Sequence, residues 1–234
     1  MLVRKRRGLL IAAALLGGAA ILGVLLAWPV TRPWVQWGDD AANDASVAVR
    51  NRPLTLIAEA FSLIGSVWVN WPLRAAAAVL LAVKRRWIQL TAFALAVITS
   101  EILIGVLKTA YHRARPPDSL IETSHYSFPS GHAIAGAVTA VGLVLVLLPP
   151  GRERWRWEVR AVIFTGLMAL SRVTLSAHWL SDAVAGALLG AGLALGWPAA
   201  LLAVVGRRDP AARVAPEAFE PGADPDRWHD SETP

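Results

Sequence analysis

Apolar residues along this chain gather in long runs separated by short basic clusters. Leu9 to Leu26 carries no charge, Trp87 to Leu107 carries only Glu101, and Ala133 to Gly151 and Ala183 to Gly206 carry none. A helix crosses the hydrocarbon core with about 20 apolar residues, whereas a helix of a water-soluble bundle would show a polar stripe. These four runs predict transmembrane helices.

Two further crossings are interrupted. Ala161 to Ser171 is bracketed by Arg160 and Arg172. It becomes a span if Arg160 snorkels to the interface and Arg172 faces the bundle interior. Residues 54–83 carry Glu59, Asn70, Pro72 and Arg74. One crossing is expected there, roughly Leu63 to Val83, with Leu54 to Ser62 at the surface; Arg74 then sits deep in the apolar layer. The expected architecture is all-α: a six-transmembrane helical bundle over residues 1–208, with spans near 8–28, 63–83, 87–108, 131–150, 156–176 and 179–206. Past Gly206 the chain turns to Pro, Asp, Glu and Arg, so residues 209–234 are expected to form a short disordered tail.

The basic clusters set the orientation. Arg4, Lys5, Arg6 and Arg7 precede the first span, Lys84, Arg85 and Arg86 lie between the second and third, Arg152, Arg154, Arg156 and Arg160 between the fourth and fifth, and Arg207 and Arg208 follow the sixth. Six crossings put all of them on one side, which the positive-inside rule makes cytoplasmic. Both termini and the tail are then cytoplasmic in a multi-pass protein of the cell inner membrane. The first apolar run exceeds the roughly 7–15 residues of a signal-peptide core, and no clear small-x-small site follows before Trp28 and Pro29, so it reads as an uncleaved span.

Composition agrees with this picture. Hydrophobic residues make up 55% of the 234 and charged residues 17%, with net charge +6 and no cysteine. A water-soluble domain carries about 25% charged residues, so the basic balance labels topology and does not bind nucleic acid. Without cysteine there is no disulfide framework, thiol nucleophile or cysteine metal site.

Three polar clusters lie at the outer ends of the spans. They are Lys108 with Arg115 and Pro116; Pro129, Ser130, Gly131 and His132; and Ser171 and Arg172 with His178 and Asp182. Three fixed cations beside a low-dielectric medium need an anion. Arg matches phosphate oxygens bidentately and Lys acts as a point charge. Ser130 and Gly131 open a helix, whose exposed backbone N–H groups and dipole favour an anion. His178 and Asp182, four apart, are expected on one helix face, the carboxylate fixing one ring nitrogen and leaving the other bare. His132 suits a general acid. Together these groups suit phosphoryl transfer through a phosphohistidine, with no metal or other cofactor required.

The pattern Lys-x6-Arg-Pro, Pro-Ser-Gly-His, Ser-Arg-x5-His-x3-Asp resembles the three-part signature of the type 2 phosphatidic acid phosphatase and haloperoxidase superfamily, in its membrane lipid phosphatase branch. The resemblance implies a metal-independent hydrolase of a lipid phosphate or pyrophosphate, with its site facing the periplasm or outside. It implies His178 as nucleophile, Asp182 as its orienting group, His132 as acid and then base, and Lys108, Arg115, Ser130, Gly131 and Arg172 as phosphate ligands. The expected partners are a membrane lipid phosphate and the bilayer. A vanadate-dependent haloperoxidase uses a similar anion cradle, but those relatives are typically soluble. A small transporter would share the spans without needing two histidines and three cations.

Other polar groups are assigned more simply. His112 and His125 stay outside the catalytic set, although His125 lies close in sequence to the site. Glu101 is assigned as an interior partner of Arg74 or of a backbone group, ahead of a catalytic role. Trp28, Trp87, Trp155, Trp157 and Trp179 are expected in an aromatic belt, and Gly136, Gly142, Gly186 and Gly190 at close helix contacts.

Overall fold

A computed structural model describes residues 5–122 and 126–208; His125 and the expected tail lie outside the described residues. Eight helices and no strand occur among them. They are α1 (Lys5–Ala27), α2 (Arg32–Ala48), α3 (Arg52–Ile64), α4 (Val67–Val83), α5 (Trp87–Tyr111), α6 (Gly131–Leu147), α7 (Arg152–Thr174) and α8 (Leu180–Arg208). Local chemistry sets several ends. Asn51 caps α3 by accepting from the Leu54 amide at 3.0 Å, with Pro53 in the first turn, where a missing N–H costs nothing. The φ of 44° at His112 closes α5 in the left-handed region.

Among the described residues three helices are long and apolar enough to cross a membrane: α1 from Arg6, α5, and α8 as far as Val204. The pair α3 and α4, bent by 44° at Gly65 and Ser66, has the length and composition of a broken span or a re-entrant loop. The helix α6 is apolar but shorter, and α7 carries charges in its first half and Arg172 in its last turn. The bundle is helical and of membrane type.

Packing centres on α8, which lies against α1, α5, α6 and α7. The four small residues singled out in the sequence make close contacts. A Cβ on Gly186 would come within 2.7 Å of the Ser130 carbonyl oxygen, and one on Gly190 within 2.5 Å of that of Ile134. A Cβ on Gly136 would stand 3.0 Å from Met168 and one on Gly142 2.9 Å from Phe93, somewhat looser and against side chains. Between apolar helices in lipid, such approach replaces the missing hydrophobic drive.

The contacts also sort the ends of the bundle. Arg86 donates to the Leu147 carbonyl at 3.2 Å, and Ala12 of α1 lies beside Gly196 of α8. Arg6 and Arg7, Lys84 to Arg86, and Arg152 to Arg156 therefore gather at one end. The PSGH and SRx5Hx3D segments lie at the other, where the Ser130 amide meets the Asp182 carbonyl.

Arg74 is deep but fully paired. It donates to Glu101 at 2.8 Å, to the Thr139 hydroxyl at 2.9 Å and to the Ala135 carbonyl at 3.3 Å, tying α4 to α5 and α6. Glu101, itself partly exposed, pairs with Arg74, one of the two kinds of partner expected for it. Leu54 to Ser62, expected at the surface, form most of α3, which docks on α7 and buries Ala58 against Leu175 and Ala177. One helix was not foreseen. The amphipathic α2 hides Asp39 and Asn43 against Arg113, Ser181 and Ser176 while exposing Trp34 and Trp37. Trp28, Trp87, Trp155 and Trp157 are exposed, consistent with a belt; Trp179 is buried and donates to the Ala114 carbonyl at 2.8 Å, so it is a core residue.

Candidate active site

The three predicted clusters converge at the amino-terminal ends of α6 and α8. Lys108 lies in the last turn of α5 and donates to the Tyr126 carbonyl at 2.5 Å. Arg115, in the loop after α5, holds the Ala177 carbonyl at 2.5 Å and faces the Nε2 of His178 at 3.2 Å. Arg172, in the last turn of α7, is buried, and its Nη1 donates to the Ser62 hydroxyl at 2.5 Å. Its Nε is buried without a partner. A buried guanidinium N–H left open costs free energy, so this donor points to an anion that would occupy the site. His132 lies within electrostatic reach of Arg172, His178, Arg115 and Lys108.

Ser130 is the N-cap of α6. Its hydroxyl accepts from the Ala133 amide at 3.4 Å, a long contact. The expectation that its own N–H faces an anion does not hold, because that N–H donates to the Asp182 carbonyl at 3.1 Å. The orphan amides of the first helical turn begin at Gly131 and His132. The His132 ring packs beside Gly65, where a Cβ would approach its Cδ2 to 3.0 Å. The break between α3 and α4 thus makes room for the ring. From there a cleft between α4, α5 and α6 is lined by His132, Gly65, Ser66, Asn70, Arg74 and Glu101.

His178 and Asp182 do not share a helix face as the spacing suggested. His178 precedes the first residue of α8, in the turn after α7. Its Nδ1 stands 3.8 Å from Asp182 Oδ2, beyond hydrogen-bond range. Ser127 fills the gap: its hydroxyl donates to Asp182 Oδ2 and its oxygen lies 3.4 Å from Nδ1. The hydroxyl proton is committed to the carboxylate, so the remaining role of Oγ is to accept from Nδ1–H. That tautomer leaves Nε2 as a lone-pair nitrogen facing Arg115. Burial pushes the His178 imidazole down from 6.5 to about 4, with Arg115 and Arg172 adding to the shift and Asp182 opposing it. The ring is a neutral base at ordinary pH. Burial also lowers the Arg115 guanidinium, opposed by Asp182.

A protonated Nδ1, an Nε2 lone pair and the nearby Arg115 and Arg172 are an arrangement that can act as a nucleophile beside an anion cradle. The PAP2 superfamily pattern matches residues 89–205, half of the sequence and every motif residue named above. The chain belongs to the PAP2 superfamily. It is 29% identical to phosphatidylglycerophosphatase B of Bacillus subtilis over 172 residues, covering 71% of this chain and 85% of that protein. It is 34% identical to undecaprenyl-diphosphatase of Sulfolobus acidocaldarius over 105 residues, covering 42% of this chain and less than half, 46%, of that relative. The crystal structure of the transmembrane PAP2-type phosphatidylglycerolphosphate phosphatase of Bacillus subtilis superposes with a TM-score of 0.67 at 25% identity. That match covers 85% of this chain and 98% of the other. LpxE of Aquifex aeolicus shares the fold, with a TM-score of 0.54 at 22% identity over 65% of this chain and 89% of its own.

Several site residues escaped the sequence reading. Ser127 precedes the PSGH motif by two residues, and Arg113 stands two before Arg115. Arg113 is buried and donates to Asp182 Oδ1 at 2.6 Å. On α2, Asp39, Asn43 and Ser46 recur at spacings of four and three, so they share one helix face, and Arg50 follows just past its end. That periodicity was the available signal.

Proposed function

We propose that the protein is a metal-independent membrane lipid phosphatase working through a phosphohistidine on His178. The observation that carries this reading is the Nε2 of His178 facing Arg115 at 3.2 Å, with Arg172 within electrostatic reach of the same ring. The reaction class is hydrolysis of a lipid phosphate or pyrophosphate, in keeping with the named relatives. Lys108, Arg115, Arg172 and the first amides of α6 would hold the equatorial oxygens as charge spreads over them. Nε2 would attack phosphorus, the bond to the lipid oxygen would break, and His132 would give that oxygen a proton. A bound phosphate favours the charged imidazole that this step needs. His132 would then take a proton from water, the resulting hydroxide would displace phosphate from Nε2, and inorganic phosphate would leave. Asp182, acting through Ser127, would stabilise the imidazole as charge builds on it.

The bundle is read as six spans over residues 1–208, with the basic end cytoplasmic and the catalytic end at the opposite face. The substrates that fit are isoprenyl pyrophosphates, phosphatidylglycerophosphate and phosphatidic acid, with the lipid leaving past His132 into the cleft between α4, α5 and α6. The decisive experiment is phosphate release by purified protein from these three lipid classes, with the His178→Ala variant as blank. Release that survives His178→Ala would overturn the mechanism. Loss of release in EDTA, restored by magnesium, would overturn metal independence.

A further inference from the structure

Asp182 is held from behind. Its Oδ2 accepts from the Ser127 hydroxyl and from the Trp179 amide at 3.1 Å; its Oδ1 accepts from Arg113 Nη1 at 2.6 Å. Arg113 is itself locked. Its Nη2 donates to Asp39 Oδ2 at 2.6 Å and to Gln36 at 2.8 Å, and its Nη1 also donates to the Ser181 hydroxyl at 2.7 Å. Asp39 in turn takes the Ser181 amide at 2.8 Å and the Ser181 hydroxyl at 2.6 Å. Asp39 is 2% exposed, Arg113 5% and Asp182 0%. Three charges are thus removed from water in a single line, from α2 through the loop after α5 to α8. A buried ion set is a poor device for stability alone, because apolar residues of similar volume do as well or better. Its geometry here serves an end: each carboxylate oxygen has its own donors, so the carboxylate cannot rotate.

We propose that Arg113 and Asp39 are positioning residues for the reaction, forming a buried line Asp39–Arg113–Asp182 that fixes the carboxylate behind Ser127 and His178 and sets how much negative charge the ring feels. The inference rests on the phosphohistidine reading. Neither residue touches substrate. Arg113 draws negative charge away from His178, and Asp39 moderates that draw. The charged groups facing the His178 ring are Asp182 on α8, Arg115 in the loop and Arg172 on α7, with His132 nearby on α6. Asp182 in turn feels Arg113 and lies within electrostatic reach of Lys108.

The test compares Arg113→Gln, Arg113→Lys, Asp39→Asn and the Arg113→Gln/Asp39→Asn double variant with the wild-type protein in detergent. It uses a soluble aryl phosphate over a pH series, with melting temperature recorded beside kcat and KM. Losing the Arg113 charge leaves Asp182 more negative, which favours imidazolium, so the acid limb of kcat/KM moves up in pH for Arg113→Gln. Asp39→Asn leaves the Arg113 charge less neutralised, so its acid limb stays or moves down. Each single variant loses about 10- to 100-fold in kcat, as outer-shell changes do, with KM within about twofold. Arg113→Lys recovers part of the loss. The double variant is no slower than Arg113→Gln, because Asp39 acts through Arg113.

If Arg113→Gln does not fold, Asp39→Asn and Arg113→Lys carry the same comparison. Folded variants with wild-type kcat and an unmoved acid limb would overturn the inference, as would strictly multiplicative losses in the double variant. Full activity in His178→Ala would instead overturn the mechanism on which the inference stands, so the two failures are separable.

Discussion

The Nη1 of Arg115 lies 3.2 Å from Nε2 of His178 while holding the Ala177 carbonyl of the same turn at 2.5 Å. One guanidinium therefore both shapes the turn that carries His178 and adds to the burial that keeps the ring deprotonated. The sign follows directly: a folded value of about 4, below the ordinary 6.5, means that the free base is lost only as pH falls through the lower value. The acid limb of kcat/KM, which reports the free enzyme, is expected below pH 5. A limb near 6.5 would contradict the burial and cationic surroundings of the ring.

Ser127→Ala removes the hydroxyl that spans the 3.8 Å between Nδ1 and Asp182. Nδ1–H then has no acceptor within hydrogen-bond range, and the tautomer is no longer fixed. A fall in kcat of about 10- to 100-fold is expected, with KM little changed. Steady-state kinetics on an aryl phosphate measures it, and an unchanged kcat would remove Ser127 from the machinery.

His132→Ala separates the two chemical steps. With an activated aryl phosphate the leaving group needs little protonation, so phosphorylation of His178 persists while water attack slows. Phosphate from a labelled substrate is expected to stay bound to this variant and to be lost in acid. A lipid substrate, with its poor leaving group, should lose rate at the first step. Equal losses on both substrates would count against the acid and base roles.

Gly190→Ala sets a methyl 2.5 Å from the Ile134 carbonyl oxygen, a backbone atom that has no rotamer to yield. Overpacking of this kind costs about 1–3 kcal/mol. A lower melting temperature in detergent is expected, with residual activity reduced because α6 and α8 both carry site residues. Gly17→Ala has nothing within 4 Å of the new carbon and should melt like the wild type.

Arg74→Met strands Glu101 beside the cleft. Because the Glu101 side chain is 39% exposed, the loss should fall well short of the roughly 3–5 kcal/mol of a fully buried pair. Adding Glu101→Leu should restore part of the melting temperature. A double variant less stable than Arg74→Met would argue that Glu101 has another essential partner.

The fold was legible where periodicity and charge were unambiguous. The apolar runs became α1, α5, α6 and α8, and the paired placement of Glu101 and Arg74 followed from the cost of an intramembrane charge. The eight motif residues were legible because their types and spacing are chemically specific. The relay behind them was not. Ser127 is a small hydroxyl in a loop, and such residues cap turns everywhere. The polar face of α2 reads as a solvated surface until the burial of Asp39 and Asn43 is seen. Spacing alone misplaced His178 on α8, because the turn at Ser176, with φ 47°, ends α7 and lifts the ring off the helix.

That turn is gripped from outside the motif region. Ser46 donates to the Val173 carbonyl at 3.3 Å, Arg50 donates to the Thr174 carbonyl at 3.3 Å and to the Ser176 hydroxyl at 2.7 Å, and Ser176 donates to Asn43 at 2.8 Å. All three gripping residues precede residue 89, where the family match begins. A hybrid enzyme that grafts residues 89–205 onto a foreign amino-terminal half would inherit every signature residue and lose the hand that holds them. Exchanging substrate preference between members of this superfamily therefore calls for moving α2 and the catalytic segment together, as one inheritable unit.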